Sequence, residues 1–187
     1  KPNDVYYKDN YCLSKYDMVG KKDTVIATMD GYTLTNGQLQ IYYWMELNSF
    51  MGQYGQYASV FGLDLSLPLD SQMCTMSAEP MTWQQYFLDS ALKAWQNYQS
   101  MAAAADENGF QMSEQNRAYV DNLIQSLEES AVANGFENAA AFLAYNVGSG
   151  ATLDNYVKFN EDYLKGYEYY QFFTENMTVT EEEVAEY

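Results

Sequence analysis

Five aromatic residues, Tyr156, Phe159, Tyr163, Tyr167 and Tyr170, recur at intervals of three and four late in the chain. That spacing stacks side chains along one side of a helix. Rings break no bonds. They offer large apolar area at little rotamer cost, which suits shallow, promiscuous contact with peptide segments. The other use of such a stripe is ordinary core packing. Tyr54, Tyr57 and Phe61 form a second group in a glycine-bearing stretch, where they either pack locally or make the lip of a cleft. Met45, Met51, Met73 and Met76 lie nearby and supply gap-filling or an adaptable surface. Trp83 and Trp95 read as core.

The polar inventory is sparser. The 187 residues include no histidine, which removes Ser-His-Asp and Cys-His catalysis and histidine-ligated metals. No pair of carboxylates stands out as an acid–base couple, and Asp64 and Asp70 lack calcium-loop spacing. Asn176-Met177-Thr178 matches a glycosylation sequon, a pattern common by chance. Arg117, the only arginine, suits a helix-surface ion pair. No phosphate-cradling loop is present, so no cofactor or nucleotide is expected. Cys12 and Cys74 could close one disulfide in an exported protein, or remain two thiols.

The net charge is -17, from 26 acidic residues against 9 basic ones. Such a surface repels nucleic acid and anionic lipid and favours solubility. No apolar run reaches the roughly 18 residues a membrane helix needs.

Local signals place the elements. Residues 1–23 lack an apolar period, hold five of the eight lysines and read as a flexible tether. Val25 to Leu34 reads as a two-stranded ribbon turning at Asp30-Gly31. Thr35 with Gln38 opens a helix as a capping box, and Leu39, Tyr42, Tyr43, Leu47 and Phe50 follow at helical spacing. Residues 52–81 form an irregular, aromatic segment of Ω-loop character. Thr82 with Gln85 caps a long helix to Asn108, closed by Gly109-Phe110. Ser113 caps another, carrying Leu123, Ile124 and Ala131 and closed by Asn134-Gly135-Phe136. A short helix covers about 138–146, "GSG" interrupts, and a last long helix runs from Thr152 to near Asn176. That helix is apolar on more than one side, as expected of a buried or groove-lining helix. Thr180 with Glu183 reads as the start of one more helix, with Glu181, Glu182 and Glu183 favouring its N-terminus. Its shortness suggests a chain that continues.

The order of these pieces, through "IATMDGYTLTNGQLQIYY", "TWQQYFLDSALKAW", "GSGATLDNYVKF" and "VTEEEVAEY", resembles the N-terminal chaperone domain of SurA/PrsA-like exported foldases. These are parvulin-type peptidyl-prolyl isomerases, and the likeness is to their Gram-positive form, over about residues 24–187. The resemblance implies a mainly α, multi-helix domain of the SurA-N or trigger-factor-C type with a small N-terminal β-ribbon. It implies a chaperone that binds unfolded or partly folded exported polypeptides, for which the aromatic groups above are the client-binding candidates. A parvulin domain would follow residue 187. The family's isomerase site is built around histidines, so no catalytic residue carries over and this chain is expected to be no enzyme. An extracytoplasmic lipoprotein of the Gram-positive cell surface would follow, its lipid-bearing cysteine preceding Lys1 and residues 1–23 acting as spacer. Two rivals stand beside this reading. One is isomerase activity within the chain itself. The other is a carbohydrate- or peptide-binding cell-surface protein without chaperone activity, suggested by the 19 tyrosines and the acidity.

Overall fold

The computed structural model describes residues 22–177, together with the backbone of two short strands before them. Those strands, β1 (Val5–Lys8) and β2 (Tyr11–Ser14), pair antiparallel with Tyr7 opposite Cys12. The stretch read as a flexible tether therefore carries backbone pairing, which its lack of an apolar period did not announce. The expected helix from Thr180 lies outside the described residues.

Strands β3 (Val25–Met29) and β4 (Tyr32–Thr35) make the expected ribbon, with Met29 opposite Tyr32. Asp30 and Gly31 between them have φ of 48° and 86°, the double positive φ of a type I′ hairpin, whose twist matches the strands. The ribbon does not stand alone. Ala27, Met29 and Leu34 press onto the main core, and Leu34 is fully buried.

Six α-helices follow among the described residues: α1 (Asn36–Tyr54), α2 (Trp83–Glu107), α3 (Glu114–Asp121), α4 (Leu123–Ala133), α5 (Ala139–Val147) and α6 (Leu153–Asn176). The mainly helical class with a small ribbon is as predicted. Both capping boxes form: Gln38 N donates to Thr35 Oγ1 at 3.3 Å and Thr35 N donates to Gln38 Oε1 at 2.8 Å. The equivalent bonds between Thr82 and Gln85 measure 3.2 and 2.9 Å. The Schellman closures form too, Phe110 N reaching Ala105 O and Phe136 N reaching Ala131 O, each at 2.9 Å.

The predicted single helix after Ser113 is broken. Asn122 sits between α3 and α4 at φ -95°, ψ 0°, and its side-chain amide donates to Ala118 O at 2.7 Å. Asn122 N also donates to Ala118 O at 3.1 Å and Ser126 N to Asn122 O at 3.0 Å, so backbone bonding continues across the break.

Residues 52–81 are ordered by their own contacts. α1 runs on to Tyr54, and two 3-10 turns follow at Gly55–Phe61 and Leu69–Ser71. Ala58, Leu63, Leu65, Leu69 and Cys74 are buried. Gln72 acts as the internal staple: its Oε1 accepts Asp64 N at 2.8 Å, and its Nε2 donates to Asp64 O, Leu67 O and Pro68 O.

The core is aromatic. Phe50 of α1 meets Trp83 and Phe87 of α2 at centroid separations of 5.3 and 5.5 Å, and Tyr43 meets Phe87 edge-on. Trp83 and Trp95 are both buried, as expected. α6 crosses α2 so closely at Gly166 that a Cβ there would lie 2.9 Å from Met101 Cβ.

Candidate functional site: an aromatic ladder beside a polar cleft

The spacing of the α6 rings produces the ladder that the sequence predicts. Successive centroids from Tyr156 to Phe159, Tyr163 and Tyr167 are 6.4, 6.3 and 6.1 Å apart. Their planes tilt by only 22°, 5° and 19°. The lower rungs are anchored. Tyr42 of α1 meets Phe159 edge-on at 5.0 Å, and Tyr98 of α2 meets Tyr163 edge-on at 5.0 Å. Tyr156, Phe159 and Tyr163 are therefore half-buried.

Above Tyr163 the helix opens to solvent. Tyr167 is 45% exposed, and Tyr170, Phe172 and Phe173 are each slightly over half exposed. Phe110, beyond the end of α2, props this section through Tyr169 at 5.5 Å and Phe172 at 5.6 Å. The stripe is thus packed at its base and exposed at its tip. Phe172 and Phe173 are as exposed as Tyr170, with Phe172 on the other side of the helix, against Phe110.

The second predicted group divides. Tyr54 and Phe61 pack edge-on against each other at 5.9 Å and both lean on Phe50. Tyr57 is half exposed. Among the described residues no ring contact joins these three to α6.

α6 is also unusual in what it buries. Its three buried residues are Asn160, Asp162 and Gly166, none of them from the apolar stripes. Asp162 is 5% exposed and lines a cleft of about 260 Å³ between the ribbon, α1, α2 and α6. Leu34, Ile41, Tyr42, Trp95 and Phe159 supply apolar wall, and Gln99, Asp162 and Lys158 supply polar groups. The carboxylate of Asp162 takes Lys158 Nζ at 2.7 and 2.6 Å. Burial still pushes the Asp162 carboxyl above the usual range, against the pull of Lys158 and Lys165. Burial, then the charge of Asp162, pushes the Tyr42 hydroxyl up as well.

Sequence reading missed Asp162 and Gln99. A signal existed for the first. Phe159, Asp162 and Gly166 recur at three and four, which sets the acid on the packing side of the helix.

Cys74 is a buried thiol among the described residues. The side chain of Cys12 lies outside them, and so does any bond between the two. Among the described residues no cluster of three or more His, Cys, Asp or Glu is placed to hold a metal. No described helix is long and apolar enough to cross a membrane. Arg117 pairs with Glu161 at 3.0 Å between α3 and α6, the surface role expected of it. No protein-family model, curated protein or solved structure matches this chain.

Proposed function

We propose that this chain is a holding module for unfolded polypeptide, a chaperone part rather than an enzyme, working on exported clients outside the cytoplasm. The observation that carries the reading is the open tip of α6. Tyr167, Tyr170, Phe172 and Phe173 each leave about half their surface in water. Fully burying a side chain of this size contributes about 1.5–3 kcal/mol, so half exposure forgoes on the order of 1 kcal/mol apiece. Sites that keep such surface open are typically interaction sites. The ladder below packs α6 on Tyr42 and Tyr98, so the backbone that carries the rings is placed before a client arrives.

The mechanism is passive. Apolar client segments lie across the rings, and a net charge of -17 keeps the complex dispersed. No bond is made or broken, and no nucleotide is used.

The test is a light-scattering assay with the whole chain titrated into an aggregation-prone protein diluted from denaturant. Suppression at several-fold excess is the expected result. Unchanged scattering at every ratio sinks the proposal. A proline-isomerisation assay on the same preparation is expected to read blank.

A further inference from the structure

We infer that the cleft beneath the β3–β4 ribbon is a binding pocket for a basic group, a guanidinium or alkylammonium on a slender apolar stem. Two buried polar groups facing the same space point to it. Gln99 is 8% exposed and lines the cleft, its side-chain amide open to the cleft's own solvent. Asp162 is 5% exposed, and its carboxylate has Lys158 as its only hydrogen-bond donor there. A carboxylate has about four acceptor positions, and leaving buried acceptors empty is costly. The Asp162 carboxylate therefore keeps spare acceptor positions, and the Gln99 amide adds a carbonyl acceptor beside its two donors.

The walls narrow the class of ligand. Tyr42, Trp95 and Phe159 bring aromatic rings to the same cleft, and rings attract cations out of water. An anion would meet a carboxylate on a chain of net charge -17. A neutral sugar could bond to the amide but would bring no charge for the carboxylate and the ring faces to attract. A guanidinium carries five donors and no acceptor, which suits an acceptor-rich, ring-walled space.

The mouth is built for exchange. Buried residues form the interior, whereas Gly31, Tyr32 and Thr33 at the ribbon tip are exposed. The Lys158 side chain is 56% exposed although its ammonium sits on Asp162. It can swing into solvent and yield its place to an incoming cation. Lys158 then acts as a built-in plug whose displacement costs little, since it is rehydrated as it leaves.

The inference stands apart from the holding role at the tip of α6, and the two fail separately. The test is calorimetric titration of the whole chain with acetyl-Gly-Arg-Gly-amide and with its citrulline counterpart, a neutral isostere. The arginine peptide is expected to bind, and the citrulline peptide to bind at least about tenfold more weakly. Asp162→Asn is expected to weaken arginine binding by a similar factor, and Gln99→Met by several-fold. The citrulline comparison needs no variant, so a variant that misfolds leaves the inference open to refutation. Agmatine distinguishes the sources. Binding equal to the peptide's assigns the pocket to any small basic group, and binding by the peptide alone assigns it to polypeptide side chains. Equal binding of arginine and citrulline, unaltered binding in both variants, or binding of N-acetylglucosamine in place of arginine overturns the inference. No heat of binding up to about 10 mM arginine peptide also overturns it.

Discussion

The side-chain oxygen of Gln40 accepts the backbone N–H of Gly150 at 2.9 Å, tying the start of α1 to the turn before α6 across 110 residues. The same amide lies against Gly148, where a Cβ would fall 2.1 Å from Gln40 Nε2 and where φ is +112°. Position 148 therefore needs glycine for both its backbone and its neighbour. Gly148→Ala is expected to destabilise by roughly 2 kcal/mol or more. Gln40→Ala is expected to cost about 1–3 kcal/mol by stranding a buried N–H. Because the clash partner is Gln40 itself, the double variant should cost less than the sum. Urea melts of the four proteins give the coupling, and strict additivity would refute the contact.

Glu168 of α6 caps a different helix. Its carboxylate takes Ser113 N at 2.8 Å, the Ser113 hydroxyl, and Asn116 Nδ2 at 2.7 Å at the N-terminus of α3. A negative charge there satisfies orphan N–H groups and the helix dipole together. Glu168→Gln is expected to cost about 1–2 kcal/mol and to speed amide exchange over the first turn of α3. Glu161→Gln, which loses only the surface pair with Arg117, should cost under about 1 kcal/mol. Equal losses would deny Glu168 its capping role.

Asp162 gives a pH signature. Its folded pKa is raised, mainly by burial, so protonation favours the native state. The stability it contributes is present below the ordinary carboxylate range and lost as pH climbs through the raised native value. Lys158, Lys165, Glu161 and Tyr42 are the charged or titratable groups around it. At neutral pH Asp162→Asn should be as stable as the parent or more so, since the burial penalty goes and Lys158 is largely solvated. The parent should gain on the variant as pH falls. Melts at acidic and neutral pH measure the gap; the difference removes the contribution of Glu46, whose carboxyl burial also raises. A gap that does not change with pH would contradict the assignment.

Function at the α6 tip should separate from stability. Replacing Tyr167, Tyr170, Phe172 and Phe173 together by serine is expected to abolish aggregation suppression while each change costs about 1 kcal/mol. Phe159→Ser, at an anchored rung, should instead lower the melting point and retain the open rings. Suppression that survives the fourfold change would place client contact elsewhere.

These contrasts mark what the residue order disclosed. Caps, the Asp30-Gly31 turn and both Schellman closures depend on side chains within a few positions of one another, so they were legible, and so was the ring ladder. Glu168 reaching Ser113, Gln40 reaching Gly150 and Gln72 stapling its loop are polar choices fixed by tertiary neighbours. Nothing local marks those glutamines and that glutamate from their many exposed counterparts. The split within the aromatic groups was hidden for the same reason. Tyr54 and Phe61 are held by Phe50, whereas among the described residues the rings at the tip of α6 meet Phe110 alone from outside their own helix.

The tight crossing at Gly166 makes that glycine a fulcrum. Every open ring of α6 lies on the far side of it, along an arm of about 15 Å at 1.5 Å per residue. A single methyl group inserted there would pry the arm from α2 and re-aim all the rings at once, without touching any of them. The direction in which this protein presents its aromatic edge is thus set by a residue that has no side chain.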